Sequence, residues 1–168
     1  MIQKKVVCLL LAILMLLSLS ACSTAQNALP TVPFSDADWL WSLDELQKHL
    51  GVPESSYLSV YGGETCTYPF SYMGRDGIIK YMFSESGKLA SIAWAYITQD
   101  ADDLAALYTA VDEDEISRHG KSSFSSQNHT SYGDVWYLPA CDILISTIFG
   151  NESCGLQYAY ILHEFSKH

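Results

Sequence analysis

The side chains able to do chemistry in this 168-residue chain are few and scattered: five histidines and five cysteines among 19 acids and nine bases. The histidines are His49, His119, His129, His163 and His168. None belongs to H-E-x-x-H, and Gly-x-Ser-x-Gly, a P-loop and G-x-G-x-x-G are all missing. No C-x-x-C occurs, and Cys and His never fall at zinc-ligand spacing. Cys66 or Cys141 with a histidine would make a Cys–His pair, but no local signature supports one. Asp100, Asp102 and Asp103 with the run 112–115 suggest calcium only superficially, because the EF-hand order of ligands is absent. The expectation is therefore a protein that is not an enzyme, with no catalytic residues, metal site or cofactor.

The residue with the clearest chemistry is Cys22. Lys4 and Lys5 precede an apolar run from Val6 to Leu19, and Leu19-Ser20-Ala21-Cys22 follows. A short basic region, an apolar run too short for a comfortable span and small residues before a cut mark a secretory signal peptide. The Leu-Ser-Ala-Cys end resembles the lipobox of bacterial lipoproteins. That resemblance implies a diacylglycerol on the Cys22 thiol, cleavage before Cys22 and a lipid-anchored protein on the extracytoplasmic side of the cell membrane. Two or more acyl chains hold a protein stably, where one holds it marginally.

Removing residues 1–21 takes away Lys4, Lys5 and Cys8 and no acid. Seven bases then face 19 acids, a charge of −12. Such a surface argues against nucleic acid and against direct contact with anionic head groups. The expected partners are the membrane, through Cys22, and a protein. Cys66, Cys141 and Cys154 remain, an odd set that allows one bridge and one thiol, or three reduced cysteines.

Those residues must be positioned by a single domain over residues 38–168, after a tether over 22–37 that carries Pro30 and Pro33 and shows no period. Ser42 with Glu45 makes a capping box, Leu43, Leu46 and Leu50 follow helical spacing, and Gly51 and Pro53 end the helix. A strand is expected near Tyr57–Tyr61, then three more over 65–72, 78–84 and 89–97. Asp100 caps a second helix with Leu104, Leu107, Tyr108 and Val111 on one stripe. Residues 121–133 read as a loop, and strands are expected over 134–138, 142–149 and 155–163.

The order suggests α+β architecture: an antiparallel sheet with helices packed on one face, built from two αβββ repeats over 38–98 and 99–168. Phe83 matches Phe149, and Trp94-Ala95-Tyr96-Ile97 matches Tyr158-Ala159-Tyr160-Ile161 after a two-residue deletion. This arrangement resembles the tandem-repeat β-lactamase inhibitor proteins and, more distantly, the small outer-membrane assembly lipoproteins. By the two-residue period, Trp94, Tyr96, Tyr158 and Tyr160 share a face with Ile92 and Leu156, opposite Ala93, Ala95 and Ala159. Either the aromatic face is the core or it is open for recognition, which makes those four the candidate binding residues. The functional expectation is a membrane-anchored, non-catalytic binding or inhibitory domain. A cell-envelope assembly accessory is the alternative, and a small extracytoplasmic enzyme comes third.

Overall fold

The computed structural model describes residues 29–166; Cys22, the signal segment and His168 lie outside the described residues. The chain forms α1 (Leu43–Leu50), β1 (Ser55–Leu58), β2 (Gly62–Tyr72), β3 (Arg75–Ser84), β4 (Leu89–Thr98), α2 (Ala101–His119), β5 (Phe124–Gln127), β6 (Tyr132–Tyr137), β7 (Cys141–Phe149) and β8 (Cys154–Leu162). All eight strands join one antiparallel sheet in the order β1-β2-β3-β4-β8-β7-β6-β5.

This corrects the α+β expectation. Strand takes 46% of the described residues and helix 20%, so the fold is essentially one sheet with two helices, too few to make a helical layer of their own. The unit is α followed by four strands, not three. The missed strand is β5, whose sequence Phe124-Ser125-Ser126-Gln127 has no apolar alternation and whose residues are all exposed. It is a strand because β6 pairs with it, a tertiary cause that a local pattern does not carry.

Each element has a visible local reason. Ser42 Oγ accepts from the Glu45 amide, and the Glu45 carboxylate accepts from the Ser42 amide at 2.7 Å, closing the capping box. Asp100 accepts from the amides of Asp102 and Asp103 at the start of α2. Each helix ends on a glycine with positive φ, Gly51 and Gly120. At Gly77 in β3 a Cβ would lie 2.4 Å from the Ala95 carbonyl oxygen and 2.8 Å from the Trp94 indole nitrogen, so only glycine fits there.

The sheet centre is the β4–β8 pair. Trp94 stands opposite Tyr158, with Ile92 opposite Tyr160 and Tyr96 opposite Leu156. The core is the aromatic face. Over it lie α1, α2 and, between them, the irregular segment 29–41. Phe34 packs on Tyr158 and Tyr160 with ring centroids 4.8 and 6.1 Å apart, and Ser35 bonds the Tyr81 hydroxyl at 3.0 Å. Val32, Phe34 and Trp39 are buried. From Leu29 onward, most of the stretch expected as a tether therefore contributes to the core. Among the described residues no helix is long and apolar enough to cross a membrane.

Candidate functional site

The aromatic residues singled out from sequence come together, but on the covered side. Trp94, Tyr158 and Tyr160 are 0% exposed, so they are core and present no surface. Tyr96 is half-buried, stacks on Trp94 and donates to Asp103 at 2.8 Å. Asp103 also takes a hydrogen-bonded ion pair from Arg75 at 2.8 Å, and these contacts hold its carboxyl below the usual range.

Beneath Tyr158 and Tyr160 lies a residue the sequence reading passed over. Glu115 is fully buried. Its Oε1 accepts from the Tyr158 hydroxyl, from Tyr160 at 2.7 Å and from Arg118 Nη1 at 3.2 Å. Its Oε2 faces His119 Nε2 at 3.4 Å without a hydrogen-bond partner. Burial pushes the Tyr158 and Tyr160 phenols up, and this carboxylate adds to the shift in both. A signal for Glu115 was present: it lies four residues after Val111 and continues the stripe of Leu104, Leu107 and Tyr108. The second carboxylate cluster is Asp134, which accepts from Tyr108 and from Ser122 at 2.9 Å, with Asp112 nearby.

A cleft of about 520 Å³ opens next to the Glu115 network, walled by Pro30, Pro33, Leu138 and Pro139, with Arg118, His119 and Cys141 at its polar side. Its thiol is not poised for chemistry. Burial, with Asp142 and Glu115 nearby, pushes Cys141 up to about 12, and burial also raises Cys66. Cys66, Cys141 and Cys154 are all buried and free. His163 Nε2 meets Asp142 at 3.0 Å and the Ser166 hydroxyl donates to the same Asp142, so the carboxylate stands between serine and histidine. A nucleophile–base pair needs the serine on the histidine. His49 stacks on Trp41 at 4.3 Å. Among the described residues no group of three His, Cys, Asp or Glu side chains is placed to hold a metal ion.

The face with room for a partner is the opposite one. On β4 and β8 it carries Ser91, Ala93, Ala95 and Ile97 beside Gly155, Gln157, Ala159 and Ile161. Larger side chains flank this floor: Ile78, Lys80 and Met82 on β3, Leu144 and Ile148 on β7. Ala93 and Ala159 are 0% and 1% exposed, closed over by the taller side chains beside them, so the accessible part of this floor is Ala95, Ile97, Gly155 and Gln157. From β3 to β7 is three strand spacings, about 14 Å between backbones, which the flanking side chains narrow to a shallow depression. At one end Tyr61 and Phe165 meet edge to face, ring centroids 5.9 Å apart, and Tyr61 reaches Ser91. At the other end Ile97 and Ile148 stand 75% and 69% exposed. Charged residues on this face are few: Lys80 in the middle, Asp76 at the rim, and Asp142, which His163 and Ser166 cover. No family model, curated protein or solved structure matches the chain.

Proposed function

We propose that the chain is a lipid-anchored extracytoplasmic protein whose body is a non-catalytic interaction domain. The partner is a protein that lays a protruding, weakly charged segment on the shallow trough over β4 and β8, against Ala95, Ile97 and Ile148. The observation that carries this reading is charge depletion. A mature chain of charge −12 keeps nearly all its carboxylates off one broad sheet face, which instead carries alanine, isoleucine, leucine and valine interspersed with Ser91, Ser146, Gln157 and Lys80. Depletion of charge is what distinguishes the centre of a protein interface from ordinary surface. A small-residue floor between taller walls accepts a convex partner. It does not fit a second copy of itself, because two facing troughs would leave a void.

The raised thiols and the serine–carboxylate–histidine order favour binding over catalysis. Anchoring rests on the Lys-rich start, the apolar run and Cys22. Two experiments test the reading. Labelled palmitate should enter the protein and be absent from Cys22→Ala. Ile97→Lys with Ile148→Lys should leave the melting temperature within a degree or two and abolish partner binding. Label that persists in Cys22→Ala rejects the anchor, and unchanged binding by the double variant rejects the trough.

A further inference from the structure

We infer that the domain stands on the bilayer with one end of its sheet down, the end carrying Leu29, Leu40, Leu58 and Val60, and that these side chains enter the lipid interface. This deepens the reading above and rests on acylation of Cys22. The sheet has two distinct ends. One holds the β1–β2 turn, the β3–β4 turn and the exit of β8; the other holds the β2–β3 turn, the start of α2 and the β7–β8 turn. Leu29 belongs to the first. It lines a small cavity with Leu40, Gly87, Lys88, Leu162 and Glu164, at the middle of that end.

Covalent length then restricts orientation. Cys22 and Leu29 are seven residues apart, which spans at most about 25 Å. β3 and β4 are ten residues each, about 34 Å long. The far end therefore cannot touch a bilayer that holds Cys22 while the strands stand upright.

Surface chemistry agrees with the geometry. At the near end Leu40, Leu58 and Val60 are 79%, 78% and 85% exposed. Apolar side chains so exposed on one rim gain by partitioning into the interface. The far end is acidic, with Asp76, Asp100, Asp102, Asp103 and Glu152 against Arg75, whereas the near end sets Lys88 beside its acids Glu85 and Glu164. An anionic membrane surface repels that end. The orientation also points the open mouth of the trough, at Ile97 and Ile148, away from the lipid.

The test uses the full chain purified with its lipid and reconstituted into phosphatidylcholine vesicles. Val60→Cys and Leu40→Cys report the near end and Asp100→Cys the far end, each labelled with a polarity-sensitive dye while the native thiols are buried. Intact mass establishes first whether Cys22 is acylated, and a cooperative thermal transition in each variant establishes the fold, lowered by a few degrees at most for Asp100→Cys, which loses the α2 cap. The expected result is a blue shift at positions 60 and 40, with loss of fluorescence on adding spin-labelled lipid, and neither at position 100. Acylated protein with silent labels at 60 and 40, or with quenching at 100, overturns the orientation alone. Protein without acylation overturns both the orientation and the anchor.

Discussion

Glu115 decides more about the core than any other polar residue. A fully buried carboxylate is tolerated because Tyr158, Tyr160 and Arg118 all donate to its Oε1, with His119 close to Oε2. Glu115→Ala should lower the unfolding free energy by about 3 kcal/mol in urea titrations, since it strands two buried hydroxyls and an arginine. Tyr158→Phe should cost about 1 kcal/mol in the parent and nearly nothing in Glu115→Ala, a coupling that a double-mutant cycle reads directly. Asp112 behaves in the opposite sense. Burial first, then the charges of Asp134 and Glu113, raise its carboxyl above the usual value of 3.8, and its Oδ1 has no hydrogen-bond partner. The folded state therefore holds this proton more tightly than the unfolded chain, so the group costs stability as pH rises through the interval above 3.8. Asp112→Asn should be more stable than the parent at pH 7, and the advantage should vanish below about pH 4, as followed by urea midpoints across pH.

At the scale of elements, the β4–β8 pair is the keystone, and Gly77 shows how closely its neighbours approach. Gly77→Ala should destabilise by about 2 kcal/mol, because the added methyl meets backbone and the Trp94 ring, neither of which can move aside. Calorimetry checks it; an unchanged melting temperature would mean the strands can separate locally. Both helix starts were legible from capping residues alone, Ser42 with Glu45 and Asp100, because a cap is a local interaction. The strands of the centre were legible from alternation, as Ile79, Tyr81 and Phe83 show against Lys80. β5 was not legible, because pairing rather than pattern makes it a strand. The sided placement of the aromatics was also not readable. Trp94 and Tyr158 alternate with alanines, and period two gives two faces without saying which one the rest of the chain covers. What decided the matter was the segment 29–41, a proline-containing stretch with no period that nonetheless places Phe34 on Tyr158 and Tyr160.

For the whole molecule, charge distribution and the short link to Cys22 combine in the proposed arrangement: anchor end down, acidic end out, the small-residue sheet face turned to a partner. The measurement that tests this most directly is site-specific photocrosslinking in intact cells. A photoreactive residue is placed at Ala95 in the trough floor, at Ile148 on its wall or at Ala106 on the exposed side of α2, and the crosslinked peptides are identified. The account predicts adducts at Ala95 and Ile148 to the same protruding segment of one other extracytoplasmic protein, and none at Ala106. Adducts at Ala106 alone, adducts between two copies of this chain, or no adduct at the trough positions would contradict it.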